Sequence, residues 1–136
     1  MIPALFQPVT MSRDAILTTD APRPLGPYSQ AIRAGGLVHV SGQLPLDPSG
    51  ALIGAGDIRE QTRAALANLA AVLNAAGSAL DRVVKTTVFL TDLDDFAGMN
   101  DVYASTFAPP YPARSTVEMG RLPQGMLIEI DCIALA

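Results

Sequence analysis

Residues 82–91, RVVKTTVFLT, decide the fold, because they form a predicted strand with a predicted helix on either side. The stretch is rich in β-branched residues, which favour strands. Its side chains alternate between two faces of the strand. One face is predicted to hold Val84, Thr86, Val88 and Leu90, and the other Val83, Lys85, Thr87 and Phe89.

The clearest helix covers residues 57–76, before this strand. Asp57 and Glu60 resemble a capping box, with Asp in the Ser/Thr role. Gly77 suits the position that follows a helix. Apolar residues at helical spacing mark the face that we expect to be buried. They are Leu66, Leu69, Val72, Leu73 and Ala76.

A second helix is predicted over residues 93–107, after the strand. The prolines of residues 108–112 (APPYP) must end it, because proline disrupts a helix and restricts the residue before it. Its apolar side is predicted to hold Phe96, Met99, Val102, Tyr103 and Phe107.

Further strands lie towards both ends of the chain. Residues 13–18 form a short strand, and residues 28–33 and 37–41 flank glycines as in a hairpin. Residues 113–131 (ARSTVEMGRLPQGMLIEID) are two strands joined by a turn marked by proline and glycine. The order β-ββ-α-β-α-ββ predicts an α/β fold, an α+β two-layer sandwich in which two helices cover one face of a mixed six-stranded sheet.

The uncovered sheet face predicts an oligomer, because apolar residues there need cover. Hydrophobic residues make up 49% of the 136 residues and charged residues only 16%, which excludes a disordered chain. We expect one domain over residues 13–136. Residues 1–12 contain two prolines and are expected to be an irregular extension.

Charge and motif content narrow the function classes. The net charge is −4 and the nine basic residues are spread along the chain, which disfavours a nucleic acid partner. Without a secretory, transmembrane or lipidation motif, we expect a cytoplasmic protein with no membrane partner. Cys132 is the only cysteine, so no internal disulfide is possible, and we expect a buried thiol.

Two charges in the apolar strands of residues 113–131 are the first candidates for chemistry. A hairpin would bring Arg114 and Glu129 onto neighbouring strands, where they either form an ion pair or line one cleft. Arginine can grip a carboxylate through two parallel hydrogen bonds. A nearby acid can position or activate water. The pattern alone leaves both interpretations open.

Other reactive residues give no recognisable site. His39 has no second histidine at ligand spacing and only one cysteine is present, so no metal site is predicted and a structural role is favoured. No Ser-His-Asp pattern occurs. Gly50, Gly54 and Gly56 fit neither the P-loop nor the dinucleotide-binding spacing, so their loop is expected to be a connection.

Four motifs together resemble the reactive-intermediate deaminase (RidA, or YjgF) family, in its deaminating branch. They are GPYSQA, VSGQLP, KTTVFLTDLDDFAGMN and PARSTVEMGRLPQGMLIEI, and the likeness runs from Asp14 to the last residue. The resemblance implies a fold like that of chorismate mutase, assembled as a homotrimer with sites at subunit interfaces. It also implies hydrolysis of 2-imino acids or enamines to 2-oxo acids and ammonia, without a metal or organic cofactor.

The resemblance also assigns roles to individual residues. Arg114 matches the arginine that binds the substrate carboxylate, and Glu129 matches the acid that orients or activates water. Tyr28 matches a pocket-lining tyrosine and is a candidate proton donor. Thr116 stands where many deaminating members carry cysteine. The remaining substrate-binding candidates are Ser41, Gly42 and Asn100.

Two alternatives to 2-imino acid hydrolysis stay open. One is deamination of another enamine or imine, such as an aminomuconate-type intermediate. The other is a non-catalytic trimer that binds small carboxylates or acts as a chaperone. Arg114 favours the deaminase interpretations, and the low basicity weighs against a ribonuclease role that the family also includes.

Overall fold

The computed structural model describes residues 12–136, so the extension predicted at residues 1–12 lies outside it apart from Ser12. Two helices and six strands follow in the predicted order, with a mixed sheet. The elements are β1 (Asp14–Ile16), β2 (Ala31–Ala34), β3 (Leu37–Gln43), α1 (Ile58–Ala75), β4 (Val83–Leu90), α2 (Phe96–Thr106), β5 (Ala113–Glu118) and β6 (Ile128–Leu135). The predicted α+β architecture is confirmed.

The strand order is β1-β2-β3-β6-β4-β5, and it corrects the hairpin predicted for residues 113–131. Helix α2 carries the chain back along the sheet, so β5 pairs parallel to β4 at the sheet edge. Strand β6 instead enters between β3 and β4, antiparallel to both. Strands β5 and β6 are therefore consecutive in the chain but separated in the sheet by β4.

Both helices pack on the same sheet face, where the core lies. The predicted face of α1 is confirmed, because its five apolar residues are all nearly inaccessible to solvent. The Asp57 carboxylate accepts hydrogen bonds from the amides of Arg59 and Glu60, at 3.0 and 3.1 Å, and caps the helix. Cys132 is buried as predicted, and burial raises the pKa of its thiol to about 12.

A β-bulge at the start of β4 corrects one end of the predicted alternation. Pairing with β6 is irregular between Val83 and Lys85, so that Val83 is 8% exposed and Val84 is 42% exposed. Beyond the bulge the prediction holds, with Thr86 and Val88 fully buried under the helices. The other face of the strand is open.

The open face of the sheet carries apolar and polar side chains together. Strand pairing places Ile32, His39 and Ile133 in one row across it. Val117 and Leu135 are 41% and 46% exposed, which leaves apolar surface uncovered in a single chain. Within residues 12–136, neither helix is long and apolar enough to cross a membrane.

Candidate active site

Arg114 lies on β5 beside Thr86, on the helix-covered side of the sheet edge. Its Nη1 donates a 2.7 Å hydrogen bond to Oδ1 of Asn100. None of the three salt bridges among residues 12–136 involves Arg114. Asn100 is neutral, so it orients the guanidinium without cancelling its charge. The positive charge is thus held in place and left available.

Two aromatic rings lie close to the guanidinium group of Arg114. The guanidinium carbon of Arg114 lies 4.7 Å from the ring centre of Tyr103 and 5.5 Å from that of Phe96. Burial raises the pKa of Tyr103, against the lowering effects of its 2.8 Å hydrogen bond with Thr86 and of Arg114. The sequence analysis assigned both rings only to the apolar side of the second helix. The spacing Phe96, Asn100, Tyr103 (i, i+4, i+7) places all three on one helix face and could have revealed the arrangement.

Thr116 lies two residues beyond Arg114 on the same face of β5. Its hydroxyl oxygen is buried and has no hydrogen-bond partner among residues 12–136. Most buried polar groups in proteins have a partner, and a buried hydroxyl without one is costly. Thr116 therefore offers an unused donor and acceptor next to the arginine.

Glu129 belongs to a second group, on the open face of β6 opposite Phe89. A Cβ on Gly42 would lie 2.6 Å from Glu129 Cδ, so only glycine leaves room for the carboxyl group there. Burial and, to a smaller degree, the charge of Asp131 raise the pKa of Glu129. An acid in this setting holds a proton more readily than a free glutamate does.

Tyr28 and Ser41 lie on the same side of the molecule as Gly42. Tyr28 and Gly42 line one small pocket, and the phenol oxygen of Tyr28 accepts the amide hydrogen of Leu25 at 3.1 Å. The Tyr28 O–H hydrogen is thereby left for another acceptor. Ser41 Oγ donates to the carbonyl of Ser29 at 2.6 Å, so only its lone pairs remain for a ligand.

The predicted site residues thus divide into two groups. Arg114, Asn100 and Thr116 form one, and Tyr28, Ser41, Gly42 and Glu129 form the other. Strand β4 separates Arg114 from Glu129, and their side chains point to opposite faces of the sheet. Within one chain the two charges neither pair nor line one cleft, so the predicted pairing of their strands in a hairpin is wrong.

A cavity of about 410 Å³ on the open face, lined by both polar and apolar residues, was not predicted as a unit. His39, Lys85, Thr87 and Asp131 contribute to its lining. Lys85 Nζ donates to the Thr86 carbonyl at 2.9 Å and lies 3.4 Å from the hydroxyls of Thr87 and Ser115. Among residues 12–136, no group of three or more His, Cys, Asp or Glu side chains is arranged to hold a metal ion.

Comparison with known proteins agrees with the motif resemblance over nearly the whole chain. The family model described as Endoribonuclease L-PSP matches residues 18–136. A RutC family protein of Pyrococcus horikoshii is 52% identical over 122 residues, covering 90% of this chain and 97% of the relative.

Solved structures show the same fold. The Rid family protein YyfA from Yersinia pestis has a TM-score of 0.88 and 46% identity, covering 92% of this chain and all of that one. E. coli TdcF with bound serine has a TM-score of 0.85 and 41% identity, covering 90% of this chain and 98% of that one. Such relatives support a general role in imine or enamine deamination. The chain belongs to the Endoribonuclease L-PSP family, which includes the Rid and RutC proteins, as its motifs predict.

Proposed function

We propose that the protein hydrolyses reactive 2-imino acids and their enamine tautomers, such as 2-iminobutanoate and 2-iminopropanoate, to 2-oxo acids and ammonia. The observation that carries this proposal is the Arg114 guanidinium, which is oriented by neutral Asn100 and has no carboxylate partner among residues 12–136. A 2-imino acid offers the missing carboxylate. The serine bound to the related TdcF is an amino acid and likewise carries a carboxylate.

The complete site is proposed to form between adjacent subunits of a homotrimer. Arg114 and Glu129 face opposite sides of the sheet, so a site that uses both side chains needs two copies of the chain. The open face of the sheet carries exposed apolar residues, including Val117 and Leu135. They support burial of this face against another subunit. The unpartnered Thr116 hydroxyl is a further group that such a site would satisfy.

In the proposed reaction, Arg114 binds the substrate carboxylate and Glu129 places the attacking water. Charge-assisted hydrogen bonds from arginine contribute about 1.5–3 kcal/mol each. Water adds to the C=N carbon to give a carbinolamine, which expels ammonia. Tyr28 is proposed to donate a hydrogen bond to the substrate, because its oxygen accepts from Leu25 while its own hydrogen stays available. Imines hydrolyse readily in water, so orientation supplies much of the needed acceleration.

A coupled assay tests this function. Threonine dehydratase generates 2-iminobutanoate in the presence of semicarbazide, which traps the imine that has not been hydrolysed. We expect the wild-type protein to slow semicarbazone formation and Arg114→Ala to have no such effect while retaining the wild-type assembly. If the wild type does not compete with the trap, 2-imino acid hydrolysis is wrong. Binding of 2-oxobutanoate without turnover would then favour the carboxylate-binding alternative.

A further inference from the structure

Asp131 is the acidic residue nearest to Glu129 along the strand. The two lie two positions apart on β6 and therefore share the open face, with Cα atoms about 6–7 Å apart. Asp131 Oδ1 accepts the amide hydrogen of Thr87 from the neighbouring strand at 3.2 Å. Its carboxylate is thus held on the β4 side of β6, whereas the Glu129 carboxyl lies on the β3 side, against Gly42.

The two carboxyl groups lie in different surroundings. Glu129 is half-buried against Gly42 and has no salt bridge or hydrogen bond to its carboxyl among residues 12–136. Asp131 has the Thr87 amide and lines the same cavity as Lys85 and His39. Burial without hydrogen-bond donors, the setting of Glu129, stabilises a protonated acid.

The other charged groups on this face lie farther along the strands. Lys85 of β4 and His39 of β3 both pair with Ile133, whereas Glu129 pairs with Phe89. Lys85 Nζ also donates a hydrogen bond to the hydroxyl of Ser115 on β5. Asp131 is thus the charged residue nearest to Glu129 on strand β6. After burial, the negative charge of Asp131 is the second cause that raises the pKa of Glu129.

We propose that Asp131 is a positioning residue whose fixed negative charge keeps Glu129 basic enough to take a proton from water and return it to the leaving nitrogen. The inference rests on the proposed imine hydrolysis and assigns both proton transfers of that reaction to one carboxyl group. Asp131 acts through Glu129 and need not touch the substrate.

The proton transfers balance as follows. As the water oxygen bonds to the iminium carbon, a water proton passes to Glu129 and the C=N π pair moves onto nitrogen. Glu129 then returns this proton to the nitrogen of the carbinolamine. The C–N bond breaks, its electron pair leaves with ammonia, and the carbinol proton passes through Glu129 to ammonia. The net change is iminium plus water to 2-oxo acid plus ammonium.

The composition of the chain makes a direct titration practical. The chain has three glutamates, Glu60, Glu118 and Glu129, so selective ¹³C labelling of glutamate carboxyls gives three NMR signals. The Glu129→Gln variant assigns the third. We expect Asp131→Asn to lower the Glu129 midpoint by about 0.3–0.6 pH unit, as for charges on the order of 10 Å apart at an intermediate to high dielectric. Asp131→Glu should keep a midpoint close to that of the wild type.

The control changes the net charge equally at a distant position. Asp81 is exposed before β4, so Asp81→Asn should leave the Glu129 midpoint unchanged. In the imine assay, kcat/KM should decline at low pH as Glu129 becomes protonated, and Asp131→Asn should move this decline to lower pH. Because Glu129 is then a weaker base, kcat near pH 7 should fall several-fold. Asp131→Glu should restore both. If Asp131→Asn does not fold, Asp131→Ser removes the same charge.

Two outcomes overturn the inference. One is a Glu129 midpoint that Asp131→Asn does not move, whatever the activity. The other is a midpoint that moves while the decline of kcat/KM at low pH stays in place, because Asp131 would then not act on catalysis. A wild-type protein that hydrolyses no imine refutes the proposed function instead, while the NMR midpoint still decides whether Asp131 controls the protonation of Glu129.

Discussion

Arg114 is held by Asn100, a neutral side chain, across 2.7 Å. The Asn100→Asp change keeps the shape of this partner but adds a negative charge. We expect it to weaken binding of 2-oxobutanoate at least about tenfold, because a charged hydrogen bond worth about 1.5–3 kcal/mol must then compete with an internal ion pair. Isothermal titration calorimetry measures the change. Asn74→Asp, at an exposed position near the end of α1, should leave binding intact.

Gly42 sets the position of the Glu129 carboxyl. A methyl group there would overlap Glu129 Cδ at 2.6 Å, so Gly42→Ala must push the carboxyl aside. We expect kcat for imine hydrolysis to fall about 10–100-fold, the size expected for a displaced catalytic group. Gly120→Ala is the matched control, because a Cβ at Gly120 meets nothing within 4 Å among the described residues. Equal activities of the two variants would contradict the assignment.

Thr116 should separate stability from binding. In Thr116→Val a methyl group replaces a buried hydroxyl that has no partner among residues 12–136, so we expect the ligand-free protein to gain about 1 kcal/mol of stability. Stabilisation by 2-oxobutanoate should shrink in the same variant, and Thr116→Ser should retain it. Thermal unfolding with and without the ligand gives both quantities. A ligand-free Thr116→Val protein of lower melting temperature would mean that the assembly already satisfies the hydroxyl.

Glu129 should make stability depend on pH. Burial, and then Asp131, raise its pKa in the folded chain above the ordinary value of 4.5. The folded state therefore binds this proton more tightly than the unfolded state does, and the contribution of Glu129 to stability is lost as pH rises from about 4.5 through the raised pKa. We expect Glu129→Gln to be more stable than the wild type at pH 7 and to lose that advantage near pH 4. Denaturant unfolding at both pH values tests this, and an advantage independent of pH would contradict it.

The sequence predicted those parts of the fold that depend on local pattern. The apolar spacing of α1 predicted its buried face, and Asp57 marked its first turn. Strand pairing was not predictable in the same way. Pro123 and Gly125 mark a turn between β5 and β6, but they do not show whether these two strands pair with each other. The bulge that exposes Val84 arises from an irregular pairing with β6, which no local pattern reveals.

The candidate site was predictable as a set of residues and not as an arrangement. Family motifs identified Arg114 and Glu129, but whether they face each other depends on the order of strands in the sheet. The neighbourhood of Asp131 was visible in the strand alternation. Its importance emerges only with the Thr87 amide and the carboxyl that rests on Gly42.

Complementation between two inactive variants tests the central claim most directly. Arg114→Ala and Glu129→Gln are each expected to lack imine hydrolysis, since each removes one half of the site that we propose to be shared between chains of a trimer. In randomly mixed trimers, about a quarter of the interfaces combine an intact Arg114 with an intact Glu129. The mixed assemblies should therefore recover about a quarter of wild-type activity per site. Mixed trimers that are no more active than the separate variants would contradict a site formed by Arg114 of one chain and Glu129 of another.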